Sequence, residues 1–309
     1  MSVAAGVAVM VACGALFAPQ APINRGLAAV TGPLASACAN FLVGLGLVLA
    51  ACLVAGKVGG LGEVPDVPPG HLLGGLLGAA YVLVALLTVG LIGASGVTAA
   101  TVAGQLAASL ALDASGALGL ERKPLAALVL LGALAVFLGT YLVVAQPRVV
   151  PLSAQAGQRN HAMGGHLLPI AVVFAGGVAL GVQHPLNGQL GAEVGDLPAS
   201  VVNFALGGLA LLALLVARGE TSGLAGLGRV PWRYRLGGVI GAINATCALA
   251  LVETIGAGAL AAASVTGLAI ASLALDRAGV LGLAKRPVTA RRLAGAALLV
   301  GGTVLVALG

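Results

Sequence analysis

Residues 18–27 read "APQAPINRGL" and residues 181–190 read "GVQHPLNGQL", so Gln-x-Pro-x-Asn occurs twice, 163 residues apart. Carried along the chain without a gap, that offset pairs Gly14 with Gly177, "NFLVG" at 40–44 with "NFALG" at 203–207, and "SLALD" at 109–113 with "SLALD" at 272–276. It also sets Ile92-Gly93-Ala94 on Ile255-Gly256-Ala257 and Gly139-Thr140 on Gly302-Thr303. Ala, Gly, Leu and Val would coincide often by chance in this composition. Gln, Asn and Asp are scarce and coincide repeatedly, which identifies two copies of one unit.

The solvent of these copies is a lipid bilayer. Of the chain's 309 residues, 60% are hydrophobic and 8% charged, and the mean hydropathy is +1.11, far outside the soluble globular range. A helix needs about 20 mostly apolar residues to cross ~30 Å of hydrocarbon. Such runs are expected near 3–24, 33–55, 71–91, 95–113, 125–145, 167–190, 198–217, 236–254, 257–276 and 291–308. Continuous apolarity without alternation favours helices over a transmembrane barrel. The fold class expected is all-α, with residues 1–145 and 167–309 as five-helix repeats and the polar stretch 146–166 as the linker between them. The N-terminal stretch lacks the positively charged start of a signal peptide and is read as the first span.

An odd number of spans per copy forces the second copy to enter the membrane upside down. Inverted repeats of this kind build secondary transporters, with substrate held between the copies. Loops after the odd-numbered spans carry twelve of the fifteen Lys and Arg residues; Lys57, Arg122 and Lys123 lie on the other side. The positive-inside rule then sets both termini outside the cytoplasm. Trp232 and Tyr234 stand among Arg229, Arg233 and Arg235, a pattern that suits an anchor against anionic lipid and not a nucleic-acid patch.

Gln20, Asn24, Phe41 and Gly44, repeated as Gln183, Asn187, Phe204 and Gly207, resemble the YdcZ-like branch of the drug/metabolite transporter superfamily. The resemblance spans nearly the whole chain, once per copy. It implies a ten-helix secondary transporter that exports small molecules. Asn40 and Asn203 depart from it, standing before Phe where the family more often has a small hydroxyl residue. Both termini outside the cytoplasm is a second departure, since ten-span relatives in the wider superfamily commonly keep them inside.

The residues themselves point to a site. A spacing of four puts Gln20 with Asn24, and Gln183 with Asn187, on one helical face. Pro22 and Pro185 lie between them, and a proline in a helix frees a carbonyl one turn back and bends the axis. Broken segments at matching positions of inverted halves point to a transporter's binding site. The amide pairs, extended by Asn40 and Asn203, are therefore expected to line a central substrate cavity. The competing reading makes them caps and ties between helices. The glycines of "GGLLGAAY" at 74–81 and "GGVIGAIN" at 237–244 read as close helix packing.

Glu253, near the end of the eighth span with Gly90 as its mate, is the candidate for proton coupling. Asp113 and Asp276, each closing a "SLALD" span, read first as helix-end residues. His184 replaces Ala21 in the second motif, and Gln105 and Asn244 face Leu268 and Tyr81 across the repeat; such asymmetric positions are where two copies shape one asymmetric substrate. No metal or cofactor is called for: Cys13, Cys38, Cys52 and Cys247 lie in apolar runs without ligand spacing, and HExxH and P-loop patterns are absent from the sequence. Without a catalytic grouping an enzyme is disfavoured. The expected activity is gradient-driven export of a small neutral or weakly polar solute, with proton coupling as one form of it. A passive channel for a small polar solute is the alternative.

Overall fold

The structure is a computed structural model that describes residues 2–122, 126–144, 167–281 and 287–308; the linker assigned to 146–166 lies outside them. Among the described residues all regular structure is helical. In chain order the helices are α1 (Val3–Phe17), α2 (Gln20–Thr31), α3 (Pro33–Val54), α4 (Leu73–Ser115), α5 (Ala127–Val144), α6 (Leu167–Val194), α7 (Asp196–Ala217), the single turn α8 (Ser222–Ala225), α9 (Gly237–Ile255), α10 (Ala257–Ala278) and α11 (Ala290–Leu308). Short 3-10 turns join α3 to α4 and α8 to α9. Nine helical segments among the described residues are long and apolar enough to cross a membrane, and the apolar stretch Ala127–Val143 is shorter.

At 43 residues, α4 would measure roughly 65 Å if straight, twice a bilayer. Its contacts show that it doubles back. Along its first arm Gly74 abuts Asn187, Gly78 abuts Gln183 and Tyr81 abuts Gly176, so this arm runs antiparallel to α6. Along its second arm Thr101 meets Gly177 and Ala108 meets Gly181, and just past its end Gly119 meets Gln189, so this arm runs parallel to α6. The two arms are the spans Pro69–Val89 and Gly96–Ser115. Elsewhere the chain turns on single glycines. Gly32, Gly195 and Gly256 are the only residues between successive helices and have φ of +82°, +88° and +81°, a region in which a side chain would be strained. Gly32 and Gly195 are repeat mates.

The inversion of the copies is visible in how mated helices touch. On α5 and α11, Gly132 meets Gly302 and Gly139 meets Gly295. Residue numbers rise on one helix as they fall on the other, so the mates are antiparallel. On α3 and α7, Phe41 packs on Gly207 and Phe204 packs on Gly44, again antiparallel. Two helices that are copies of each other, run in opposite directions and cross the same bilayer are related by an axis in the membrane plane. The first helix of each copy packs on the other copy: α1 on α9 and α10, α6 on both arms of α4. Glycine makes these approaches possible, because a methyl group at Gly14 would overlap the Ser264 carbonyl and one at Gly177 the Thr101 carbonyl. Such close backbone contact drives helix association where lipid cancels the hydrophobic effect.

Candidate functional site

The motif glycines are seats for the motif amides. Asn24 Oδ1 occupies the space a side chain at Gly237 would fill, and Asn187 Oδ1 does the same at Gly74. A methyl group at Gly241 would lie 2.7 Å from Gln20 Nε2, and one at Gly78 2.7 Å from Gln183 Nε2. Each copy's amide pair is thus received by the "GG" stretch of the other copy. The packing role read for these glycines is real, and what they pack against is the polar motif.

Gln20, Asn24, Asn40, Gln183, Asn187 and Asn203 all line one cavity of about 160 Å³ between the copies. Gln20 Nε2 donates to the Gly237 carbonyl at 2.9 Å. By contrast Asn24 Oδ1, Asn40 Oδ1 and Nδ2, Gln183 Oε1, Asn187 Oδ1 and Asn203 Oδ1 are buried without a hydrogen-bonding partner among the described residues. Buried amides are normally satisfied. These atoms are shielded from the open space, the oxygens of Asn24 and Asn187 by the glycines of the opposite copy.

Phe41 and Phe204 lie on the same wall with ring centroids 5.3 Å apart and planes tilted by 47°. This is the physical content of Phe-x-x-Gly: each ring needs the glycine of the opposite copy beneath it, and the pair closes the cavity where the two copies meet. Asymmetry enters through Gln105 and His184, whose Nε2 atoms are 3.2 Å apart, and through Asn244. Their mates Leu268, Ala21 and Tyr81 offer no such pair. Phe17, Tyr81, Thr98, Thr101 and Ser264 also line the space and were not singled out from the sequence. For two of them a signal existed: Thr101 and Ser264 are repeat mates that both carry a hydroxyl.

The helix interruption differs from the sequence expectation at Pro22 and Pro185. In the first copy the break falls at Ala18-Pro19, and Pro22 is the third residue of α2. In the second copy Pro185 lies inside an unbroken α6. The reason is that Pro19 has Val182 as its mate. Pro19 and Pro22, three residues apart, remove two donors within one turn, and the helix is interrupted there; in the second copy a single proline removes one, and α6 continues.

The acidic residues sort by position. Glu253 is exposed on α9, with Gly188 of α6 as its neighbour, and is not part of the cavity wall. Asp113 is buried, and its carboxylate accepts from the backbone N–H groups of Ala257 at 3.1 Å and Gly258 at 2.7 Å. It thereby caps the N-terminus of α10 from the other copy, where the helix dipole favours an anion. Asp276 pairs with Arg292, whose Nε also donates to the Val143 carbonyl at 3.1 Å. No group of His, Cys, Asp or Glu suited to a metal ion occurs among the described residues.

Inverted helical copies enclosing an amide-lined cavity at their interface define the class: a polytopic membrane protein with the fold of drug/metabolite transporters. The chain belongs to the YdcZ family, whose model carries the description "Putative inner membrane exporter, YdcZ" and matches residues 5–142 and again 168–305. A solved crystal structure aligns with 99% of this chain and 97% of its own at 19% identity and a TM-score of 0.68, which establishes a common fold. No curated protein matches the sequence.

Proposed function

We propose that this protein is a secondary active exporter that carries a small neutral or weakly polar solute by alternating access of its two inverted copies. The observation that carries the reading is the ring of six amide side chains, Gln20, Asn24, Asn40, Gln183, Asn187 and Asn203, that lines one cavity between the inverted copies. The absence of Asp, Glu, Lys and Arg from the described cavity wall argues for an uncharged cargo, because an ion there would lack a counter-charge. Family membership supports export from the cytoplasm across the inner membrane.

Reconstitution in liposomes tests it. A carrier gives saturable flux that is accelerated by unlabelled solute on the opposite side; linear flux without counterflow would identify a channel instead. Proton coupling through Glu253 rests on the sequence alone, and Glu253→Gln decides it: unchanged response to a pH gradient removes the residue from the mechanism. The charge bias of the loops assigns both termini to the extracytoplasmic side, and a reporter active only in the cytoplasm, fused after Gly309, stays dark in that orientation.

A further inference from the structure

The cavity concentrates a side-chain class that the rest of the chain avoids. The whole protein has five Phe and three Tyr, yet Phe17, Phe41, Phe204 and Tyr81 all line this one space. Between the rings most of the polar side chains are primary amides, each of which offers a planar donor and a planar acceptor. We propose that the cargo is a neutral, planar heteroaromatic molecule whose rim carries amide-type N–H and C=O groups, a nucleobase or a pyridine carboxamide in chemical class. This rests on the transporter reading above and names its substrate.

Three observations converge on it. Flat aromatic walls favour a flat ring, which stacks offset or edge to face against Phe and Tyr. The amide side chains that line the space are matched by in-plane N–H and C=O groups, which an amide-bearing heterocycle carries on its edge and a hydrocarbon ring does not. Size selects further: an apolar cavity of roughly 150 Å³ accommodates benzene, so about 160 Å³ suits one ring with its substituents. Rotational ambiguity about the symmetric amide set is removed by the off-axis Gln105 and His184 pair, 3.2 Å apart, which gives the ligand one distinguishable polar end. A sugar would satisfy the amides but meets the rings with aliphatic C–H groups and not with a planar π-face. An organic cation would use the rings but find no carboxylate on the described wall.

Equilibrium binding to the purified full-length protein tests this without requiring flux. The probes are radiolabelled uracil and nicotinamide, with cyclohexanecarboxamide as the saturated counterpart of nicotinamide and tetraphenylphosphonium as an aromatic cation. The expected result is saturable binding of at least one heteroaromatic probe, with the saturated amide weaker by about tenfold. Phe204→Leu and, away from the Phe-Gly interlock, Tyr81→Leu each reduce that preference while the melting midpoint without ligand shows the protein folded. Equal binding of aromatic and saturated amides, preference for the cation, or no binding of either heteroaromatic probe would overturn the proposal. Heteroaromatic binding without gradient-driven flux in liposomes would instead sink the transporter reading, and flux of a non-aromatic solute would sink the substrate class alone.

Discussion

The first helices of the two copies descend from one sequence and have taken different shapes. In the first copy the chain breaks at Ala18-Pro19 and restarts at Gln20, which donates to the Gly237 carbonyl. In the second copy α6 runs unbroken past Pro185, and His184 engages Gln105. What both copies keep is the amide pair and the glycine seats that receive it. The common part fixes where polar atoms meet the cavity; the divergent part sets local backbone stiffness and the polarity of one end. Duplication thus separates a site's position from its selectivity.

The harshest way to break the comparison is to impose the first copy's sequence on the second. Val182→Pro would place two prolines within four residues of α6, at a cost of about 3 kcal/mol or more; a large fall in the melting midpoint or in folded yield is expected, and a melt in detergent reads it. Next in size, Asn24→Ala and Asn187→Ala, tested separately, are each expected to lower flux about fivefold while folded yield holds, since a lost hydrogen bond to cargo is worth about 1 kcal/mol. Loss of fold in both would move the amides to a helix-tying role. Smaller still, Pro19→Ala restores a helical donor and is expected to raise the melting midpoint by a few degrees, roughly what about 1 kcal/mol gives in a chain of this size. The smallest change is His184→Ala, which makes the second copy match Ala21; flux is expected to fall about threefold, within the worth of a single neutral hydrogen bond, with a shift in relative rates among cargoes. Unaltered selectivity would show that the asymmetric pair does not touch the solute.

How much of this could be read from the sequence depended on rarity. Gln, Asn and Asp recur at a fixed offset in a chain of Ala, Gly, Leu and Val, so the duplication and the amide ring were legible. Thr101 and Ser264 recur too, but a change from one hydroxyl residue to another left no identity to notice. The position of the helix break was misread because Pro22 has a mate and Pro19 does not, and the mate drew the eye from the proline that decides the matter. Glu253 was the coupling candidate because it sits near the end of an apolar run, and whether such a residue reaches the cavity is set by tertiary packing that the run does not encode. The aromatic lining was equally hidden: Phe17 and Tyr81 have Leu180 and Asn244 as mates, so no repeat marks them.

Because each copy receives the other's first helix, the protein is assembled out of chain order. Gly14 of α1 waits for Ser264 of α10, which leaves the ribosome about 250 residues and, at roughly 5–20 residues per second, some 10–50 s later. α6 has no such delay, since both arms of α4 precede it. One side of the cavity is therefore built as the second copy begins, and the other closes only when α9 and α10 arrive. A chain that stops short of Gly237 has no seat for Gln20 and Asn24, and two amides held in hydrocarbon at a cost of several kcal/mol give the cell's proteases a chemical mark of an unfinished molecule.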